Sequence, residues 1–206
     1  MEEKRILKDL LSLVSKDSEE VTNLLFAKFG TLREIVEADA YTLSEALGDH
    51  GRLAFYIRIV NALASRSVTD SFKFGKKHAN EEIEEYLKAL FLGASVEMVY
   101  LMSLDKDGRV IACDYAGEGT VNFSGIFPRK LLEIGIKRKA ASVIIAHNHP
   151  GGYPKPSEED EESTKLLCHM FLSSNITMEA HYVVAGLDLF RIEPQKQLKG
   201  TEYENT

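Results

Sequence analysis

Two histidines one residue apart, His147 and His149, are followed by Ser157 and then by Asp160. At the end of a strand, residues i and i+2 point to one side, so both imidazoles can reach a single ion. Ser157 stands eight residues after His149, where a helix can open, and Asp160 falls in the first turn of that helix. Two histidines and one aspartate supply three ligands. Three protein ligands with one position left for water is the pattern of catalytic zinc, because a structural site is closed by a fourth protein ligand. Each fragment also has a plainer meaning. An isolated His-x-His suits exposed loop polarity, and Ser157-x-x-Asp160 suits an N-terminal helix cap. The combination is rarer: with 6 His, 15 Ser and 10 Asp in 206 residues, chance places the four together in about one such chain in two thousand. Ser157 can still cap the helix while Asp160 serves a metal.

The elements that must position these residues follow from the hydrophobic period. Val143 to Ala146 is a short, continuously apolar run, as in a buried central strand. Val96 to Leu104 reads as a strand with little solvent contact. The turn signal Asp105-Lys106-Asp107-Gly108 and the run Val110 to Tyr115 make it half of a hairpin. Val121 to Ile126 is a further candidate strand, and Pro128 suits the first turn of a helix running to about Lys139. A helix from about Ser157 to Leu172 and a last strand from Met178 to Ala185 complete the order. That order implies a mixed sheet with helices, an α+β or three-layer domain. The first third is helical instead. Ile6, Leu7, Leu10, Leu11 and Val14 recur at helical spacing, and Val21, Leu24, Leu25 and Phe29 form a stripe that stops at Gly30. Short helices after Thr31 and Thr42 and a longer one from Leu53 to Leu63 suggest a helix-hairpin-helix type bundle over residues 1–70, with a core thin enough to need a neighbour. Residues 66–75 lose the period and read as a linker before a helix from Asn80 to Leu92.

His147-x-His149-x7-Ser157-x2-Asp160 resembles the JAMM (MPN+) metalloprotease motif. The wider run Ala146-His147-Asn148-His149-Pro150-Gly151-Gly152, with Pro154, Pro156 and Ser157 before Asp160, resembles the bacterial RadC family. Gly119-Thr120-Val121-Asn122 and Phe127-Pro128-Arg129 resemble that family's stretch upstream of the histidines. The resemblance covers the whole chain, including a helical N-terminal part. It implies a cytidine-deaminase-like JAMM domain, a three-layer mixed sheet, over residues 76–195, with a polar tail over 196–206. It implies Zn2+ as cofactor, held by His147, His149 and Asp160. It also implies an upstream glutamate on a strand, and Glu97 fits, with Val99 and Leu101 on its strand face. Glu97 would take a proton from water on the zinc and pass it to the leaving group. Ser157 Oγ would donate to the developing oxyanion, a contact of the kind that is worth roughly 3 kcal/mol. The implied reaction is hydrolysis of peptide or isopeptide bonds, with the substrate unidentified. Asn148 should point away from the two ligands, as a structural amide or as a support for the site. Gly151 and Gly152 suit a tight loop. RadC-like proteins carry an Asp-His pair near the last strand, where this chain has Ala180-His181. His181 is either a contact behind the metal or a structural histidine, and loss of the acid puts an orienting role in question.

Composition narrows the function classes. Two cysteines, Cys113 and Cys168, exclude a disulfide framework and a four-cysteine zinc site. A zinc deaminase would need His-x-Glu and Pro-Cys-x-x-Cys elements, and neither is present. No apolar run approaches the roughly 20 residues of a bilayer span, and no secretory core follows Met1, so a cytoplasmic protein without membrane contact is expected. The net charge of −7 is spread along the chain, with 10 basic and 12 acidic residues over 1–75. Nucleic-acid binding rests largely on neutralising phosphates, so DNA is a disfavoured partner. Asp49, in the Gly48-Asp49-His50-Gly51 turn, places a negative charge where phosphate would approach. The densest basic group, Arg129, Lys130, Lys137, Arg138 and Lys139, suits a solvated helix face. The alternative function class is a nucleic-acid-associated DNA-repair accessory protein with a vestigial zinc site. Oligomeric state is not legible.

Overall fold

A computed structural model describes residues 2–119, 126–150 and 152–194. Helices α1 (Glu2–Ser12), α2 (Ser18–Phe29), α3 (Leu32–Glu37), α4 (Ala40–Leu47) and α5 (Arg52–Ser71) form the N-terminal part. Leu7 and Leu11 of α1, Val21 and Leu25 of α2, Ile35, Leu43 and Leu47 close its own buried cluster with Leu53, Ala54 and Ile57 of α5. The tight turns have local causes. Gly30 ends α2 at φ +86° and donates its N–H to Phe26 O. Thr31 and Glu34 form a reciprocal capping box on α3, and Asp39 accepts from the N–H groups of Tyr41 and Thr42 at the start of α4. Asp17 occupies the cap position of α2 without a capping hydrogen bond. The linker expected at 66–75 is corrected over its first six residues. These continue α5, held by the Arg66–Asp70 ion pair at 2.8 Å and by the Ser71 hydroxyl on Val68 O. The segment is exposed, so its helix shows no apolar stripe.

Helix α6 (Asn80–Phe91) leads into the sheet: β1 (Met98–Leu104), β2 (Val110–Glu118), β3 (Ser142–Asn148), β4 (Thr177–Ala185) and β5 (Asp188–Ile192). The strand order is β2-β1-β3-β4-β5. Only β3 and β4 run parallel; the other neighbours are antiparallel. Helices α7 (Ile126–Arg138) and α8 (Glu158–Ser173) supply the remaining connections. Every residue of β3 is buried, as its apolar run requires. Val99, Leu101, Val143 and Ile145 face Leu131 of α7 and Leu167 and Phe171 of α8. Met102, Ile144, Ala146 and Tyr182 face Ile83, Leu87 and Phe91 of α6 on the other side. The result is the expected α+β arrangement of three layers behind a helical part. Among the described residues the last strand is β5, where the sequence suggested β4. It is a five-residue edge strand with Phe190 exposed, too short and too polar to carry a clear period. The strand expected at Val121 to Ile126 lies outside the described residues for 121–125, and Ile126 opens α7. The polar tail over 196–206 also lies outside them. Among the described residues, no helix is long and apolar enough to cross a membrane.

The helical part docks on the β4–β5 turn. Arg33 pairs with Asp188 and donates to Ala185 O at 3.0 Å, and Glu37 accepts from Leu187 N at 3.3 Å. Gly186 sits between them at φ +57°, and a Cβ there would meet the Glu37 carboxylate. A non-glycine residue in this left-handed region costs about 1–2 kcal/mol, and Glu37 would have to swing off Leu187 as well. Gly186→Ala should therefore lower the urea midpoint by at least that equivalent. An unchanged midpoint would show that the docking contact carries no stability.

Candidate metal centre

Strand β3 ends in the site. His147 and Asn148 are its last described pair of strand residues, and His149 follows with its N–H bonded to Val184 O at 2.8 Å. Alternation puts His147 on the α8 side of the sheet, with Val143 and Ile145. Ser157 then caps α8. Its N–H and hydroxyl both donate to Asp160 Oδ2 at 2.7 Å, and its Oγ accepts from Asp160 N at 3.1 Å. This capping box fixes the Asp160 rotamer, and the four acidic residues of the first turn suit the positive end of the helix.

Three ligand atoms converge. His147 Nε2 and His149 Nε2 are 3.0 Å apart. His147 Nε2 lies 3.1 Å from Asp160 Oδ1, and His149 Nε2 lies 3.4 Å from Asp160 Oδ2. Ligands at about 2.0–2.1 Å from a tetrahedral ion are separated by about 3.3 Å along the tetrahedron's edge. Two imidazole nitrogens and a carboxylate at these separations therefore fit one ion, and His147, His149 and Asp160 could hold a metal. His147 and Asp160 are buried while His149 is partly open, which leaves one approach from solvent. Burial alone would raise the Asp160 carboxyl. The hydrogen bond and charge of His147, with the Ser157 contacts, outweigh it and hold the carboxyl well below the usual range.

Behind this group stands His181. It is fully buried on β4, with Nε2 at 2.8 Å from His147 Nδ1 and Nδ1 at 2.7 Å from Thr164 Oγ1. Burial first, and then the neighbouring His147, push its imidazole well below the ordinary range. The adjacent Ala180 packs on the opposite face, toward α6. An acid at position 180 would not reach this network, so its absence leaves the network intact. His149 Nδ1 approaches Tyr153 O at 3.3 Å. Gly152 returns its N–H to His149 O at 3.3 Å, whereas Gly151 lies outside the described residues.

Glu97 lies one residue before β1 and is partly buried. Val99 pairs with His147, and Glu97 O accepts from Gly119 N at 2.9 Å, so the extended backbone continues past the strand end. Alternation then gives Glu97 the face of Val99 and Leu101, which is the face of His147. Asn148 brackets it: Oδ1 accepts from Met98 N at 2.7 Å and Nδ2 donates to Val96 O at 3.1 Å. Asn148 thus replaces strand hydrogen bonds on both sides of Glu97. A cleft of about 390 Å³ reaches Pro150, the residue after His149, and lies between Pro150 and Ser95 on one side and Glu34, Glu37 and Asp39 of the helical part on the other. Of the basic group near α7, Arg129 pairs with Glu133 and Arg138 pairs with Asp114. Asp49 is exposed on its turn. Cys168 is buried on α8 among core residues, and Cys113 lines the sheet's α6 side.

The RadC-like JAB domain model matches residues 78–195, more than half of the chain. The chain belongs to the RadC-like JAB domain family. Its similarity to relatives extends into the helical part. A UPF0758 protein of Herminiimonas arsenicoxydans is 29% identical over 189 residues, covering 91% of this chain and 84% of the relative. A UPF0758 protein of Cupriavidus pinatubonensis is 28% identical over 185 residues, covering 89% and 81%. One of a Janthinobacterium species is 26% identical over 181 residues, covering 87% and 81%. In this RadC-like chain, Thr164 is the site residue that sequence reasoning missed. Its only local signal is its place one helical turn after Asp160.

Proposed function

We propose that this RadC-like protein is a zinc-dependent hydrolase of the JAMM type that cleaves peptide or isopeptide bonds. The observation that carries this is the convergence of His147 Nε2 and His149 Nε2, 3.0 Å apart, on the Asp160 carboxylate, whose Oδ1 lies 3.1 Å from the first and Oδ2 3.4 Å from the second, at one end of the central strand. Zinc held there supplies a Lewis acid that polarises the scissile carbonyl and makes water nucleophilic at neutral pH. The rest of the chemistry belongs to the chain. Glu97, on the same sheet face, accepts a proton from the attacking water and returns it to the leaving nitrogen. Ser157 Oγ, which now donates to Asp160, turns its proton toward the developing oxyanion. The neighbouring cleft seats the polypeptide on one side of the scissile bond.

The test is metal analysis followed by a panel of peptides and isopeptide-linked peptides. The purified protein should hold one zinc per chain and cleave members of the panel, and chelation should stop cleavage that zinc then restores. A preparation that takes up no zinc, or a zinc-loaded protein that cleaves nothing in the panel, contradicts the proposal.

A further inference from the structure

We propose that Thr164 and His181 form a one-way hydrogen-bond relay that presents His147 Nε2, and not Nδ1, to the metal. This rests on the reading of His147, His149 and Asp160 as metal ligands. The direction of the relay follows from its two ends. Thr164 Oγ1 lies 2.6 Å from the main-chain oxygen of Asp160. A carbonyl can only accept, so the hydroxyl proton is committed to it. The same Oγ1 lies 2.7 Å from His181 Nδ1 and has only acceptor capacity left, so Nδ1 must carry the His181 proton. His181 Nε2 faces His147 Nδ1, 2.8 Å away, with room for one proton between the two nitrogens, and His147 Nε2 is the atom turned to His149 and Asp160. With that nitrogen's lone pair on the ion the proton belongs to His147 Nδ1, which leaves His181 Nε2 the acceptor. The reverse order would leave the Thr164 and Asp160 oxygens in contact with no proton between them.

Every link thus points one way: His147 to His181, His181 to Thr164, and Thr164 to the backbone of Asp160. With an ion in the site the His147 lone pair is on Nε2, which is the atom 3.0 Å from His149 Nε2. The relay also ties the two structural sources of the ligands together. Ile145 pairs with His181 across the parallel β3–β4 ladder, which sets His181 beside His147 on one sheet face. Thr164 stands one turn beyond Asp160 on α8, so the relay ends on another ligand's own main chain. A ligand histidine whose other nitrogen is fixed in this way holds its ring orientation, and such partners are worth about 10–100-fold in metal affinity. His181 and Thr164 are therefore positioning residues.

Zinc affinity by chelator competition, with nitrogen NMR of the imidazoles, tests this. The relay predicts a proton on Nδ1 of both His147 and His181 in the zinc-loaded protein, and on Nδ1 of His181 in the metal-free one. His181→Leu should bind zinc about 10–100-fold more weakly. His181→Gln, whose amide oxygen can take the place of Nε2 as acceptor, should retain most of the affinity. Thr164→Val should lose affinity and Thr164→Ser should restore it. Equal losses in His181→Gln and His181→Leu would assign the effect to packing and overturn the relay. A proton on His181 Nε2 would overturn it without any variant, should His181→Leu fail to fold. Wild type that binds no zinc sinks the ligand assignment, whereas wild-type affinity in His181→Leu sinks only the relay.

Discussion

His149→Ala should fold as well as the wild type and bind zinc more than a hundredfold more weakly. The two halves of this expectation have separate causes. The His149 side chain is partly open to solvent and, beyond its contacts with His147 and Asp160, makes a long contact, 3.3 Å, with Tyr153 O, so the space left by truncation borders solvent. Removing it nevertheless takes one of three ligands. Partners that only support a ligand are worth up to about a hundredfold, and a ligand itself exceeds that. Thermal unfolding at fixed zinc reads the difference. At a free zinc concentration of 100 Kd the wild type gains about 2.7 kcal/mol, and a variant weakened a hundredfold gains about 0.4 kcal/mol at the same concentration. The sign with pH is also set. Protons compete for the imidazole nitrogens, so the zinc-dependent gain of the wild type should shrink as pH falls. An equal zinc shift in His149→Ala would remove His149 from the ligand set.

The convergence of His147, His149 and Asp160 was legible because each residue's place depends on local rules. The apolar run Val143 to Ala146 marked a central strand, so two histidines at i and i+2 had to share a face at its end. Ser157 and Asp160 followed capping chemistry, and the structure shows that the cap and the convergence on the histidines use the same carboxylate. What escaped depends on contacts that no period encodes. Thr164 is 17 residues from His181, and His181 is 34 from His147, so their meeting is a property of the β3–β4 pairing. Arg33 reaches Asp188 across 155 residues, which is why the docking of the helical part left no trace in the pattern. The end of α5 was hidden for another reason. An exposed helix held by an ion pair such as Arg66–Asp70 buries no stripe and so shows no amphipathic period. The acid missing before His181 does not bear on the orienting contacts, because residue 180 faces α6, and that face is set by the bulged pairing of β4 with β3.

Glu97→Gln should cost the most activity of any single change that leaves the metal in place. General acid–base groups contribute about 10²–10⁴-fold, and kcat should fall by a factor in that range. The position explains why the loss should be clean. Glu97 is no part of the converging ligand group, so the zinc content of the variant should equal that of the wild type. Asn148 holds the backbone on both sides of residue 97, through Met98 N and Val96 O. Glutamine has the same length and keeps that backbone, so stability should be preserved. It can still donate and accept hydrogen bonds, but it cannot take up a proton and release it within a catalytic cycle. A contribution made only in the transition state lowers kcat and kcat/KM together and leaves KM unchanged. A variant with raised KM and unchanged kcat would instead make Glu97 a binding residue. A variant with full activity would leave proton transfer to another group, and would end the assignment that the strand register supports.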